Sequence, residues 1–286
     1  MKLSRGALYM AASAFGFSAM ALLVKVASRR LPIGEIMFAR TLFTLLLSYA
    51  MVRREGLSPW GNARLSLALR GLLGFGGMTA YYIALARLPL ADASTLQNAT
   101  PVFTALLAWW LLDERVGWST ATAIACGLAG VALIAHPTGA GLDPAGVAAS
   151  LAAVTCSSFA YVTVRKLART EHPLVIVFYF PLVAAPLALP WAIASFVAPG
   201  PADRVLLIAI GIATQVGQVF LTRALVLERA GRAASIGYLQ VAFAMVWQII
   251  VFGELPTGWT LGGAALILGG TLVVGRVTAE LSRRAR

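Results

Sequence analysis

The chain has 286 residues, of which 59% are hydrophobic and 12% are charged, whereas soluble domains have about 45–50% apolar and about 25% charged residues. This composition excludes an ordinary soluble fold and predicts an integral membrane protein. In a soluble chain the net charge of +12 would indicate nucleic-acid binding. Here the cations lie between apolar blocks, as is typical of residues that face anionic lipid headgroups. We therefore expect contact with a lipid bilayer and no nucleic-acid partner.

Apolar runs between charged residues, prolines and glycines predict ten membrane-spanning helices. A spanning helix needs about 20 apolar residues, so ten spans with short connections occupy almost the whole chain. The basic and then apolar start of the chain also resembles a secretory signal, but an internal counterpart of this segment favours a retained first helix. The predicted spans are 6–27, 33–52, 65–87, 91–112 and 116–135, followed by 145–167, 173–197, 203–228, 231–253 and 257–277.

The second half of the chain matches the first along its length. In this alignment, which we call the repeat register, the paired residues include Lys25 with Arg165, Gly77 with Gly217, Phe103 with Phe243, Glu114 with Glu254, and Gly130 with Gly270. Only the second span of each half needs a one-residue shift, which pairs Pro32 with Pro173. Each half holds five spans, an odd number, so the second half must enter the bilayer in the opposite sense. We predict an all-α membrane protein of two inverted-topology five-helix repeats, residues 1–140 and 141–286, with a binding site between them.

The distribution of cations predicts that both termini are cytoplasmic. In that orientation seventeen lysines and arginines lie on the inner side, Arg70 among them, and five lie on the outer side. Arg40 is then the only cation placed deep within the membrane.

Residues 98–107 of the fourth span read NATPVFTALL, and residues 112–115 read LDER. This pattern resembles the EamA-type transporters of the drug/metabolite transporter superfamily. The arginine of Phe38-Ala39-Arg40, a fifth span that ends at Pro137 and a second Gly-Glu pair at 253–254 agree with that resemblance. It implies a ten-helix exporter of amino acids or other small metabolites in the bacterial cytoplasmic membrane, without a cofactor. Val241 occupies the position equivalent to Pro101, so any helix irregularity at the proline is expected in the first half alone.

Uncharged polar and aromatic side chains concentrate on a few predicted helices, which indicates a binding cavity. Spacings of three and four residues place those of the fourth span on one face, and those of the eighth span likewise. Hydrogen bonding between helices is the alternative for each of them. The candidate substrate-binding residues are Phe17, Tyr81, Tyr82, Ser94, Gln97, Asn98, Pro101, Gln215, Gln218 and Tyr238, with Ser13, Ser18, Ser157 and Tyr161 as weaker candidates.

Charged residues within a span are costly and are therefore functional candidates. Arg40 lies about 10 Å into the second span at 1.5 Å per residue. Its roles left open are gating, anion attraction, and a structural one in which it snorkels or caps carbonyls of a neighbouring helix. All eleven acidic residues fall at span ends or in loops. The sequence therefore predicts an uncharged central cavity and facilitative or exchange transport by alternating access, with proton-coupled multidrug efflux as the alternative.

A membrane-embedded enzyme is the alternative from another class. The two histidines, His136 and His172, fall in loops, and the sequence shows neither metal-ligand spacing nor a nucleophile beside a base. We expect no catalytic residue and no metal. The inverted repeat also argues against a channel.

Small residues four positions apart on the fifth and tenth spans, Ala125 with Ala129 and Ala265 with Gly269, permit close helix packing. The packing partner is either a helix of the same half or a second copy of the chain. Both a monomer and a homodimer through these two spans are open.

Overall fold

The computed structural model describes residues 5–100, 103, 107, 122, 125–126, 129–130, 132–134, 142–167, 170–227, 239–267 and 269. The secondary structure of these residues is helical, without strands. A π-helical segment, Gln248–Phe252, follows the eighth helix. The helices are α1 (Arg5–Ala27), α2 (Ile33–Arg54), α3 (Arg64–Arg87), α4 (Leu90–Gln97), α5 (Pro144–Leu167), α6 (Pro173–Ala194), α7 (Pro201–Leu227), α8 (Leu239–Trp247) and α9 (Gly258–Ile267).

The helices α1, α2, α3, α5, α6 and α7 begin and end within three residues of predicted spans one, two, three, six, seven and eight. The helix α3 has 24 residues, which is long enough to cross a membrane. Arg70 and neighbouring glycines lower its hydropathy, so it is not among the five apolar segments named below. The described residues therefore form an all-helical, multi-pass membrane protein. Most of spans four and five and the end of span ten lie outside the described residues. Five described helical segments are long and apolar enough to cross a membrane, namely Leu8–Ala27, Ile33–Arg54, Pro144–Val164, Pro173–Ala194 and Pro201–Leu221.

Three antiparallel helix pairs build the interior, α1 with α7, α3 with α5, and α2 with α6. The ring of Tyr9 stacks on Phe220 at 5.5 Å, and Ser13 donates a hydrogen bond to the Gly217 carbonyl at 2.9 Å. The helices α1 and α7 are therefore antiparallel. In α2 and α6, Gly34 approaches Trp191 near one end, while Tyr49 contacts Phe178 near the other, at 5.9 Å between ring centroids. The helices α2 and α6 therefore run in opposite directions.

Contacts in one half recur in the other half in the repeat register. A Cβ atom added at Gly77 would meet Ala153, Cys156 and Ser157, and Gly217 packs in the same way against the equivalent residues of α1. Gly71 faces Val183, and Gly211 faces Phe43. At these positions α2 and α6 follow the repeat register without the one-residue shift inferred at their prolines.

The small residues of the fifth and tenth spans occupy two different surfaces. Ala125, Ala129, Ala265 and Gly269 are exposed, so among the described residues they are not buried against a helix of their own half. Gly130 instead lies against α9, where an added Cβ would be 2.8 Å from the Gly263 carbonyl oxygen. This crossing joins residues from the two halves.

The close crossing of α1 and α7 predicts that added side-chain volume destabilises the protein. A Cβ atom at Gly16 would lie 2.9 Å from the Gly217 backbone nitrogen, and backbone atoms cannot move aside. We expect Gly16→Ala to cost about 1–3 kcal/mol and to lower the thermal unfolding midpoint of the purified protein in detergent. Gly76→Ala is the control, because its nearest contact would be an ordinary 3.5 Å. Equal midpoints for both variants would contradict the packing.

Candidate functional site

Four helices, α2, α3, α6 and α7, enclose a small cavity at the centre of the described bundle. We call it the inner cavity. Each half of the chain contributes two of these helices. The lining is polar along α2 and α7 and apolar along α6, so the site combines hydrogen-bonding groups with an aromatic wall. Its lining residues are Arg40, Thr44, Ser48, Arg70, Val177, Phe180, Pro181, Thr214, Gln215 and Gln218.

Arg40 is held inside the protein, with 5% of its surface exposed. Its Nε donates a hydrogen bond to the Thr214 hydroxyl at 3.1 Å, and one terminal nitrogen contacts the Met78 sulfur. The guanidinium carbon lies 5.6 Å from the Tyr82 ring centroid and 5.5 Å from that of Phe180, within the range of cation–π attraction. Arg40 therefore neither snorkels nor caps a helix, and its contacts fix its head group at the cavity.

Arg70 corrects two expectations from the sequence. It was counted among the inner-side cations, yet it lines the inner cavity, and its guanidinium carbon lies 5.0 Å from the Phe180 ring centroid. Its Nε and one terminal nitrogen are buried without a hydrogen-bond partner among the described residues. Arg40 is thus not the only deep cation. The inner cavity is cationic, and the expectation of an uncharged pocket is wrong here because sequence position alone does not show which helix face Arg70 occupies.

A wider cavity of about 410 Å³ continues from the inner one. The two share Ser48, Val177 and Gln215. The wider cavity lies among the start of α1, the end of α2, the start of α6 and the second half of α7, at what we call the N-terminal face. Its remaining lining residues are Tyr9, Met51, Glu55, His172, Pro173, Leu174, Val219 and Arg223.

The opposite face, which we call the far face, is closed by polar contacts between elements of both halves. Lys25 of α1 donates to the carbonyls of Leu85, at 3.1 Å, and Leu88. Asp92 at the start of α4 is 3% exposed and accepts a hydrogen bond from the Thr260 hydroxyl of α9. These contacts tie α1, α3, α4 and α9 together.

Two further contacts cross the far face. The side-chain oxygen of Gln248, in the π-helical segment, accepts a hydrogen bond from the Ala91 backbone nitrogen at 2.7 Å. Arg87 forms an exposed ion pair with Asp143 at 3.0 Å, and hydrogen bonding to Arg87 lowers the pKa of the Asp143 carboxyl. Among the described residues, side-chain contacts therefore join the helices at the far face, while the N-terminal face holds the wider cavity.

The structure divides the predicted site residues into two groups. Arg40, Gln215 and Gln218 line the inner cavity. Gln215 is 7% exposed, and its amide nitrogen donates to the Met51 sulfur at 3.3 Å, while its amide oxygen has no hydrogen-bond partner among the described residues.

The second group takes part in hydrogen bonds between helices and, at Asn98, within the end of α4. Tyr81 and Ser94 have their hydroxyls 3.4 Å apart, and Asn98 donates to the Ser94 carbonyl at 2.8 Å. Gln97 donates to the Ser157 hydroxyl of α5 at 3.2 Å, and its own amide oxygen is buried without a partner in the described part of the chain. A substrate contact for this group stays a prediction.

Tyr82 and Phe17 belong to neither group. The Tyr82 hydroxyl donates to the Met20 sulfur at 3.3 Å, and its ring faces Arg40. Phe17 packs on Gly217. Pro101 and Tyr238 lie outside the described residues, and so does the expected one-sided irregularity at the proline.

Sequence reasoning missed Thr44, Ser48, Thr214 and Phe180, which line the inner cavity beside Arg40. A signal was present for the first two, since residues 40, 44 and 48 share one helix face at a spacing of four. A second signal was the repeat register, which makes Phe180 the counterpart of Arg40.

The described geometry is that of a polytopic membrane protein with a polar cavity that opens at one face. The EamA-like transporter family model matches the chain twice, over residues 4–136 and 144–276. The chain belongs to the EamA-like transporter family and is a membrane transporter.

Curated relatives agree on transport and differ in the substrates and directions that their names give. The pseudopaline exporter CntI of Pseudomonas aeruginosa is 33% identical over 96% of this chain and 97% of its own length. Human solute carrier family 35 member G1 is 32% identical over 92% of this chain and 76% of its own length. The S-adenosylmethionine uptake transporter of Rickettsia prowazekii is 28% identical over 87% and 85%.

A solved crystal structure shares the fold, with a TM-score of 0.67 and 23% identity. The alignment covers 94% of this chain and 98% of the solved one.

The one-sided opening predicts unequal reactivity of introduced cysteines. In a chain without Cys126 and Cys156, we expect Val219→Cys, in the wider cavity, to react with a charged maleimide in detergent at least about tenfold faster than Ala91→Cys at the far face, because Ala91 is fully buried. Labelling reactions that are quenched at successive times and analysed by mass spectrometry measure both rates. Faster reaction at position 91 would contradict the closure.

Proposed function

We propose that the chain is a secondary transporter that moves a small organic metabolite by alternating access between two inverted five-helix repeats, residues 1–140 and 141–286. The observation that carries the proposal is the antiparallel packing of α2 on α6. These helices are equivalent in the repeat register, and helices that are equivalent yet antiparallel are expected of inverted repeats. The recurring contacts of Gly77 and Gly217 support the same relation.

The open N-terminal face and the closed far face correspond to one end state of such a cycle. Exchanging the conformations of two inverted repeats would close the first face and open the second. Arginines are frequent at the N-terminal face, with Arg53, Arg54, Arg64 and Arg223 among the described residues. The positive-inside rule then makes this face cytoplasmic, with both termini inside. The end state is inward-open, in the bacterial cytoplasmic membrane.

The proposed substrate site is the inner cavity, with Arg40, Gln215 and Gln218 as substrate contacts. The inner cavity alone has a volume of about 10 Å³, room for about one water molecule. A metabolite of amino-acid size would therefore also occupy the adjoining wider cavity of about 410 Å³, where polar groups lie on an apolar wall. We propose export as the direction, because a relative named as an exporter matches 96% of the chain. A cationic drug does not suit this cavity, since two guanidinium groups would repel it.

The proposed driving force is the gradient of the solute or its exchange. The residues that line the inner cavity include no carboxylate, whereas proton-coupled transporters use relays of buried acids or histidines. A chemical reaction is not proposed, as these lining residues include no nucleophile beside a base.

Counterflow into proteoliposomes tests this function. Vesicles that contain the full chain and an unlabelled amino or organic acid are expected to accumulate the same labelled solute, while empty vesicles are not. Gln215→Leu removes about 0.5–1.5 kcal/mol of hydrogen bonding to the solute, which corresponds to an increase in KM of about two- to tenfold.

Ile212→Leu is the matched control, one turn away on the half-exposed outer side of α7, and should transport normally. Failure of a broad solute panel to show counterflow would overturn the transporter proposal. A proton flux elicited by the solute, abolished by one substitution, would overturn the proposed exchange mechanism.

A further inference from the structure

The inner cavity contains two arginines and lacks a counter-charge in its lining. We infer that it binds an organic solute with two acidic groups, one held by Arg40 and the other by Arg70. The chemical class is a short solute with two carboxylates: either a dicarboxylate, which is a dianion, or an acidic amino acid, whose ammonium group leaves a net charge of −1. This inference rests on the proposed transport function and specifies its substrate.

In the described state the inner cavity has a volume of about 10 Å³, room for about one water molecule, so a solute reaches both arginines only when the helices that line the cavity separate. The positions of the two arginines then limit the solute to a short molecule. Both guanidinium carbons lie within 5.5 Å of the Phe180 ring centroid, so their separation is at most twice this distance. A guanidinium binds a carboxylate at an N···O distance of about 2.8 Å. If each arginine binds one carboxylate of the same solute, and both carboxylates lie between the guanidinium groups, these carboxylates are separated by only a few bond lengths, as in succinate or glutamate.

The hydrogen-bonding capacity of the cavity is incomplete without a ligand. The Nε and one terminal nitrogen of Arg70 have no partner in the described part of the chain, and neither has the amide oxygen of Gln215. A carboxylate supplies acceptors for the arginine. An amino or hydroxyl group on the solute supplies a donor for the glutamine. Malate and glutamate carry all three groups.

The charge balance favours an anion over a neutral amino acid. Among the lining residues of the inner cavity there is no acid, and Glu55 lies in the wider cavity. Uncompensated cations in a membrane interior are expensive, and a dianion would neutralise two of them. A neutral amino acid carries one carboxylate and brings its own ammonium group next to two guanidinium groups.

The first arm of the test uses the purified full chain. We expect succinate, malate and L-glutamate to raise its thermal unfolding midpoint and to give counterflow at least about tenfold faster than L-alanine or L-phenylalanine at equal concentration. 3-Phosphoglycerate, which has one phosphate and one carboxylate, separates carboxylate from phosphate chemistry, because a guanidinium binds both. Activity with either type of solute supports the inference and identifies the acidic groups. Preference for the neutral amino acids overturns it.

The second arm uses Arg70→Gln and Arg40→Gln. Each substitution is expected to lower dianion counterflow at least about tenfold and to abolish the thermal shift by succinate. Arg70→Gln is the decisive variant, because two nitrogens of Arg70 have no partner to lose, whereas Arg40 also bonds to Thr214. Arg53→Gln, exposed on α2, is the control and should retain both responses. Monodisperse elution on size exclusion shows that a variant is folded.

The outcomes separate the inference from the transport function. Dianion counterflow that is unchanged in a folded Arg70→Gln variant would overturn the dianion site and leave the transporter intact. Absence of counterflow for every solute would overturn the transporter. If neither arginine variant elutes as a folded protein, the thermal shift of the wild-type chain decides, since a dianion site requires a larger shift with succinate than with alanine.

Discussion

The contact of Arg40 with Phe180 lies where the two halves of the chain meet, and the account of the site depends on it. A guanidinium inside a bilayer must find its partners within the protein. Here they come from α3, α6 and α7, through Met78, Tyr82, Phe180 and Thr214. The helices α2, α3, α6 and α7 therefore surround the Arg40 guanidinium group, which lines the inner cavity. The helices α2 and α6, which are equivalent in the repeat register, both line this cavity.

The proposed transport mechanism follows from how the two faces differ. Contacts across the far face join α1, α3, α4 and α9 through Lys25, Asp92 and their partners, while the N-terminal face holds a cavity of about 410 Å³. Glycine crossings such as Gly16 on Gly217 keep each helix pair close, so the pairs are suited to move as rigid units. Relatives named for export and for uptake share the family, which indicates that the fold does not itself fix the direction.

Much of the fold could be predicted from the sequence, because hydrophobic runs and charge punctuation define helices that must span a bilayer. The repeat register pairs Gly77 with Gly217 from the sequence alone, and the two glycines make equivalent contacts. The side chains of the site were less predictable. Arg70 lies seven residues into α3, near enough to its start to be counted as a cation of the inner side, and only the rotation of that helix shows that it faces Phe180. Tyr81, Ser94 and Gln97 were selected for polarity, which does not distinguish a cavity wall from a hydrogen bond between helices.

Sidedness of equivalent loops tests the central claim of inverted repeats most directly. Arg30 follows α1, and Thr170, its counterpart in the repeat register, follows α5; both are exposed. In a chain without native cysteines, Arg30→Cys and Thr170→Cys would be labelled in intact cells with a membrane-impermeant reagent, before and after permeabilisation. Inverted repeats predict that only Arg30→Cys reacts in intact cells and that Thr170→Cys reacts after permeabilisation. Reaction of both positions from the same side would contradict the account.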